Sequence, residues 1–305
     1  MTAPGTRATI LLLGANGQVG AELVRALAPL GSLVALTRAD LCLTDAERIR
    51  SVVRSVRPRI IINAAAHTVV EGGERDLDCA YAINGTAPRI LAEEAARLNG
   101  MLVQYSADHV FDGTKAAPYT ECDEPNPLNV YGASKLAGER AIRAVGVPHL
   151  IFRTSWVYGV RGRNFLRTIL RLARERHELR IVDDQVGSPT WSRMLATATA
   201  MVLARIQKNG ELESPDEWTG IYHLSAAGQA TWFDFARAIL ALDPRREEQV
   251  CRCVVAIGTN EYRTPARRPR FSVLDTTRVA ERFGLRIADW QDDLALALRE
   301  PLAMA

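Results

Sequence analysis

An α/β fold built on a doubly wound parallel sheet is predicted by two features of the chain. Short apolar runs alternate with amphipathic helical stretches through the first half of the sequence, the pattern of parallel strands joined by crossover helices. The first of those runs ends in a glycine-spaced turn that opens directly into a helix, as the first strand-to-helix unit of such a sheet requires. The totals agree, since 305 residues with 48% hydrophobic and 24% charged content suffice for one large core and a smaller C-terminal companion. A net charge of +3 is small for this length and makes no case for nucleic acid. No apolar run is long enough to span a membrane, and no charged, apolar and cleavable leader pattern is present, so the chain reads as cytoplasmic. The cysteines Cys42, Cys79, Cys122, Cys251 and Cys253 are scattered and odd in number, which argues against a disulfide framework. Cys251 and Cys253 lack further ligands for a metal and read as alternate residues of a strand; no metal is expected.

Residues 8–13 (Ala-Thr-Ile-Leu-Leu-Leu) predict the first strand, followed by Gly14-Ala15-Asn16-Gly17-Gln18-Val19-Gly20 and a helix from residue 21. In this GxxGxxG spacing the first glycine permits a tight turn, the second lets a phosphate approach the backbone, and the third lets helix and strand pack closely. Free N–H groups at the helix start then face an anion, which makes a Rossmann-type dinucleotide site. A second strand, 32–36, ends at Thr37-Arg38 without the acid that would bind a ribose 2′-hydroxyl. Arg38 can instead take a 2′-phosphate, so NADP(H) is expected, with NAD(H) as the alternative. After a helix at 46–56, a third strand, 59–63, opens into Ala64-Ala65-Ala66-His67-Thr68. Small residues there allow a cofactor to lie against the backbone at the carboxyl end of a strand, and His67, with no acidic partner in the sequence, is assigned a positioning or packing role.

Residues 79–98 read as one amphipathic helix in which Pro88 marks a kink or start. A fourth strand, 101–106, leads to Ala107-Asp108-His109-Val110-Phe111-Asp112-Gly113. Tyr131 and Lys135 lie four apart in Tyr-Gly-Ala-Ser-Lys, so on a helix they share a face and converge. A nearby ammonium lowers a phenol's pKa, and the pair suits proton transfer. A fifth strand, 148–152, precedes Trp156 and Tyr158, then a basic helix runs from Arg161 to Arg176, most of it a solvated face. Arginine at its start fits a diphosphate. The loop 183–190 leads to a helix at 194–206, a linker-like stretch at 208–215, a strand at 221–224 and a helix at 232–242. The remainder reads as strand 251–257, a basic loop 263–270, a helix cap at 274–277 and a final helix 289–299. Arg263, Arg267, Arg268 and Arg270 have little aromatic interleaving, which favours a nucleotide diphosphate over nucleic acid.

Taken together, Gly14-Ala-Asn-Gly-Gln-Val-Gly20, Asn63-Ala-Ala-Ala-His-Thr68, Val110-Phe-Asp-Gly113, Pro127-Leu-Asn-Val-Tyr-Gly132 with Lys135, Phe152-Arg-Thr-Ser-Trp-Val-Tyr-Gly159, Asp184-Gln-Val-Gly-Ser-Pro-Thr190 and Thr264-Pro-Ala-Arg-Arg-Pro269 resemble the dTDP-4-dehydrorhamnose reductase family of extended short-chain dehydrogenases/reductases. The resemblance spans nearly the whole chain, which makes it far more specific than any one motif. It implies a Rossmann-type cofactor domain over residues 1–160 and about 191–245, with a smaller substrate-binding domain over about 161–190 and 246–305. It also implies NADPH-dependent reduction of the 4-keto group of a dTDP-6-deoxy-4-ketohexose. Tyr131 would donate the proton and Lys135 would assist it and hold the nicotinamide ribose. Cys42 and Leu43 fall in the family's adenine-side segment, where relatives often carry an aspartate at position 42, and Glu71 also stands where aspartate is common. Asp108, His109, Trp156, Asn164, Gln185 and Arg268 fall at substrate-contacting positions.

One departure touches the chemistry. The family's strand end carries a threonine that donates to the substrate ketone, and here Ala107 occupies that catalytic position. Losing one preorganised donor typically costs about 10²- to 10³-fold in rate. Ser106 could substitute only if the strand end bends, because neighbouring strand residues point to opposite faces. Otherwise His109 or an ordered water fills the role, or the chain is a weakened form. Two alternatives stay open: a sugar-nucleotide epimerase or reductase of another ketosugar, and a non-catalytic NADP-binding regulatory subunit. A dTDP-sugar is the expected partner, and a homodimer is an open option.

Overall fold

The computed structural model describes residues 9–208, 211–262 and 264–300. Ala8 of the first predicted strand, Asn209 and Gly210 of the linker-like stretch, and Arg263 of the basic cluster lie outside the described residues. In chain order the longer strands are β1 (Thr9–Leu13), β2 (Ser32–Leu36), β3 (Ile60–Asn63), β4 (Met101–Ala107), β5 (His149–Thr154), β6 (Glu178–Val182), β7 (Gly220–His223) and β8 (Cys253–Ile257). The longer helices are α1 (Gln18–Leu27), α2 (Ala46–Val56), α3 (Ala87–Arg97), α4 (Val130–Val145), α5 (Phe165–Glu175), α6 (Ser192–Ile206), α7 (Trp232–Leu242), α8 (Thr277–Phe283) and α9 (Trp290–Ala297).

Six strands form one all-parallel sheet in the order β7-β5-β4-β3-β1-β2. β3, β4 and β5 are buried along their full length, because helices cover both faces of a parallel sheet. Successive residues feed opposite layers. Ile10, Leu12, Ile60, Ile62, Val103, Leu150 and Phe152 pack against Leu23 and Leu27 of α1 and Leu195 and Val202 of α6. Leu11, Leu13, Ile61, Leu102 and Ile151 pack against Ile49 and Val53 of α2, Ile90 and Leu91 of α3, and Ile142 of α4. Each such aliphatic side chain contributes about 1.5–3 kcal/mol by leaving water, so these two layers hold the sheet rigid beneath its carboxyl edge.

The long helix expected at 79–98 is interrupted. Leu77–Tyr81 is helical, Ala82–Thr86 forms a π-turn, and α3 follows with Pro88 in its first turn. The reason is twofold: Pro88 has no N–H to return to the Asn84 carbonyl, and that carbonyl lies where a Cβ on Gly138 of α4 would collide with it. β6 is an element that the sequence reading missed; it pairs in parallel with β8, Leu179 opposite Val254 and Ile181 opposite Ala256. Its five residues follow a charged helix and alternate only weakly in burial, leaving little period to read. Cys253 opens β8 while Cys251 precedes it. The linker-like stretch contains a short antiparallel pairing, Gln207–Lys208 with Glu211–Leu212. Among the described residues no helix is long and apolar enough to cross a membrane.

Candidate active site

The glycine turn sits at the carboxyl end of β1, with its Gly14 and Ala15 amides donating to the Leu36 carbonyl at 2.9 and 3.0 Å. Gly14 has φ +79°, and a Cβ there would stand 2.7 Å from the Ala65 nitrogen. A Cβ on Gly20 would collide with the Gly14 carbonyl, so the two glycines are what let β1, α1 and the Ala64-Ala65-Ala66 segment meet. Gly17 precedes α1 and no side chain caps that helix, which leaves its first N–H groups directed at the turn. Asn16 and Gly17 are exposed at its tip, and Gln18 and Val19 are half-buried. Arg38 is exposed just beyond β2, while the nearby Asp40 carboxylate is folded back on Thr37, accepting from its amide and hydroxyl at 2.8 and 2.7 Å. The acid of this loop is thereby tied into the turn, and the charge offered at the strand end is Arg38. These residues fit a dinucleotide with a 2′-phosphate. Cys42 is exposed beside Thr44, whose hydroxyl holds its thiol below the ordinary pKa, whereas the Leu43 side chain is buried in the α2 layer.

Past β3, Ala64 to His67 are half-buried and Thr68 is exposed. Asn84, presented by the π-turn, grips the His67 backbone at both ends: it accepts from the amide at 2.9 Å and donates to the carbonyl at 3.0 Å. It also donates to the Ser134 hydroxyl at 3.0 Å. The cofactor-side loop and the Tyr131/Lys135 helix are thus joined through one buried amide.

α4 starts under double control. Asn129 accepts from the Gly132 amide at 2.8 Å as its N-cap, and Glu74 accepts from the Val130 amide at 2.9 Å. Gly132 lies against the His109 carbonyl so closely that a Cβ would collide with it. Lys135 is buried, donates to the Tyr105 carbonyl at 2.6 Å, and has its ammonium pKa lowered to about 8 by burial, against the pull of Glu139. Tyr131 differs from expectation: burial, together with the Asp108 charge, holds its phenol above the ordinary value rather than below it. Desolvation penalises the phenolate, and the Lys135 ammonium is committed to a backbone carbonyl.

At the end of β4 the side chains separate. Ser106 turns toward α4 and donates a short hydrogen bond to Glu139, which also receives Arg153 at 2.7 Å in a fully buried ion pair. Ala107 points its methyl to the other face and is buried. Asp108 accepts from Ser155 at 2.9 Å and Ser272 at 2.6 Å, which fastens the strand end to the two segments flanking it. His109 stands edge-on to Tyr131, ring centroids 5.4 Å apart at 74°, with Nδ1 3.0 Å from the Asn129 amide nitrogen. Burial holds its imidazole below the usual range. Arg268, half-buried, pairs with Glu71 through a short contact.

The aromatic wall is built by Trp156, whose backbone is left-handed at φ +43°. Its indole is stacked on Trp232 at 3.5 Å and 3°, and a Cβ on Gly187 would run into its other side. Gln185 is buried and holds this stack, accepting from Trp232 Nε1 at 3.2 Å and donating to Thr259 at 3.0 Å. Asn164 caps α5 by accepting from Arg167 at 3.1 Å and donates to Gln18 at 3.0 Å and to Gly159 at 2.8 Å. Both residues, expected to contact substrate, spend their amides inside the protein.

The family model described as RmlD substrate binding domain matches residues 8–302. The dTDP-4-dehydrorhamnose reductase of Burkholderia thailandensis is 45% identical over 297 residues, covering 96% of this chain and 99% of that protein. The chain belongs to the dTDP-4-dehydrorhamnose reductase family. The Escherichia coli K12 protein of the same name is 44% identical over 298 residues, covering 95% of this chain and 97% of that one. Among solved structures, the Bacillus anthracis dTDP-4-dehydrorhamnose reductase in complex with NADP superposes with a TM-score of 0.87 at 32% identity, covering 97% of this chain and 100% of the other. Within this family member, Gly14 lies against Ala65, the His67 backbone is tied to Ser134 of α4 through Asn84, and His109 stands against Tyr131. Asn84, Glu74, Glu139, Arg153 and Trp232 were missed by sequence reasoning. A polar residue inside an apolar helical pattern was the available signal for Asn84 and Glu139; nothing local marks Glu74 or Trp232.

Proposed function

We infer that this chain reduces the 4-keto group of dTDP-4-dehydrorhamnose, or of a close dTDP-6-deoxy-4-ketohexose, with NADPH. The observation that carries this is the placement of Tyr131 and Lys135 on the first turns of α4, with Lys135 held against β4, in a chain 45% identical to a reductase of that name. NADPH held at the glycine turn and Arg38 would supply the hydride for the carbonyl carbon, with NADP⁺ as the oxidised product. Tyr131 gives its Oη proton to the ketone oxygen, which has taken the carbonyl π pair. A phenol held above its ordinary pKa is loaded with that proton across the neutral range, as an acid catalyst must be. Lys135 lies one turn along the same face, and its buried positive charge offsets the phenolate left behind. Glycines 14, 17 and 20 admit the pyrophosphate, Arg38 meets the 2′-phosphate, and Arg268 meets the sugar nucleotide's diphosphate.

Residues 1–160 and about 191–245 would form the cofactor-binding unit, and about 161–190 and 246–305 the substrate-binding unit. A nucleotide sugar and a reduced dinucleotide are cytoplasmic metabolites, which supports placing the reaction there; homodimer formation is checked by light scattering on the eluting protein. The deciding assay is NADPH oxidation with dTDP-4-dehydrorhamnose. Tyr131→Phe should lower kcat by about 10²- to 10⁴-fold while leaving NADPH binding intact. Turnover undiminished by that change would remove Tyr131 from the chemistry. The methyl of Ala107 favours one other reading, a non-catalytic NADP-binding subunit, and NADPH binding with no turnover of the ketosugar would support it.

A further inference from the structure

A ketone oxygen gathering negative charge as hydride arrives is best stabilised by two preorganised donors. Tyr131 is one. The end of β4, which lies beside it, supplies the side chains nearest to hand, and most of them are spoken for. Ser106 gives its proton to Glu139, Ala107 carries only a methyl, and Asp108 is taken up by the hydroxyls of Ser155 and Ser272.

His109 is different, and its protonation state can be read from its neighbours. The orientation of the Asn129 amide is fixed twice: its Oδ1 accepts from the Gly132 N–H at 2.8 Å, and its Nδ2 donates to the Arg267 carbonyl at 2.7 Å. The same Nδ2 lies 3.0 Å from His109 Nδ1. An amide nitrogen has only hydrogens to offer, so Nδ1 is the acceptor, and a neutral imidazole with a bare Nδ1 carries its proton on Nε2. Among the described residues Nε2–H has no hydrogen-bond partner in the protein, and the half-buried His109 stands edge-on to Tyr131. Neutral imidazoles polarise carbonyl groups in this manner elsewhere.

We propose that His109, held as the Nε2–H tautomer by Asn129, donates the second hydrogen bond to the ketone oxygen that Tyr131 protonates, and is a catalytic residue of this reductase. The proposal rests on the reductase reading above. Asn129 thereby acquires a second role. Besides capping α4 it sets the tautomer of the donor, so that the position of Tyr131 and the chemistry of His109 share one anchor.

The test compares wild type with His109→Phe, His109→Gln and the double variant His109→Phe with Ala107→Thr, at saturating NADPH and dTDP-4-dehydrorhamnose. Losing the donor in His109→Phe should lower kcat by about 10²- to 10³-fold, with the NADPH Kd unchanged as a check on folding. Glutamine, which keeps an N–H at similar reach, should hold kcat within about tenfold of wild type. Threonine at 107 should recover at least about tenfold of the loss in the His109→Phe background, a rescue that a merely structural histidine would not allow. Nitrogen NMR of the imidazole in the wild-type protein should show a bare Nδ1 and a protonated Nε2. A His109→Phe kcat within about threefold of wild type, in a protein that Tyr131→Phe silences, overturns the proposal alone; so does the opposite tautomer. Wild type that binds NADPH and reduces no ketosugar sinks the reductase reading, and this proposal with it.

Discussion

Among the described residues a few buried side-chain polar atoms lack a hydrogen-bond partner, Tyr158 Oη and Trp191 Nε1 among them, and the carboxyl of Asp293 is the case that bears on pH. Fully buried on α9, its two carboxylate oxygens have no hydrogen-bond partner among the described residues, and burial, reinforced by Asp292 and Asp289, pushes its carboxyl up to about 7. In the unfolded chain the same group titrates near 3.8. Between those two values the unfolded state releases a proton that the folded state retains, so stability falls as pH rises through the window and stays lower above it. Asp293→Asn should therefore raise stability at about pH 8 by on the order of 1–3 kcal/mol and change little at about pH 4. Thermal melts of the two proteins across that range decide it; parallel curves would mean that the carboxyl is ionised in the folded state. The contrast with Glu139 is instructive. There Arg153 and Ser106 satisfy the charge, and removing one partner of so buried a pair costs about 3–5 kcal/mol.

At the scale of elements, α4 is placed by what it lacks. Gly132 lets the first turn rest on the His109 carbonyl, and Gly138 lets the next turns rest on the Asn84 carbonyl of the π-turn. A methyl at Gly132 cannot be accommodated by a side-chain shift, because the obstacle is backbone. Gly132→Ala should thus lift the helix start, displace Tyr131 by a fraction of an ångström or more, and lower kcat by about 10²-fold, with a stability loss of about 1–3 kcal/mol. Steady-state kinetics beside urea unfolding separates the two effects, and a variant of wild-type activity would show that the turn relaxes without moving the tyrosine. The strand–turn–helix start, the sheet strands and the Tyr131/Lys135 helix were legible in the sequence, because each has a local period or a glycine with a local cause. The π-turn and β6 were not: one arises from contact between α3's approach and α4, the other from pairing with β8 more than seventy residues on.

Across the whole molecule, the aromatic wall is assembled from segments far apart in the chain. Trp156 is held between Gly187 and Trp232, Trp232 is held by Gln185, and Gln185 is held by Thr259. Trp232→Ala should free the Trp156 indole and raise the KM for the sugar nucleotide by about tenfold, while NADPH binding stays as in wild type; an unchanged KM would place the indole outside the substrate path. By itself the sequence determined the doubly wound sheet, the glycine turn, the Tyr131/Lys135 pair and the family, since alternation, glycine spacing and ordered motifs are properties of neighbours along the chain. Only the tertiary structure decided that Ser106 bonds to Glu139, that Gln185 and Asn164 make hydrogen bonds within the protein, that the Tyr131 phenol is raised by burial, and that the Asn129 amide lies against His109 Nδ1. Those depend on desolvation and on partners tens of residues away, which no local pattern encodes.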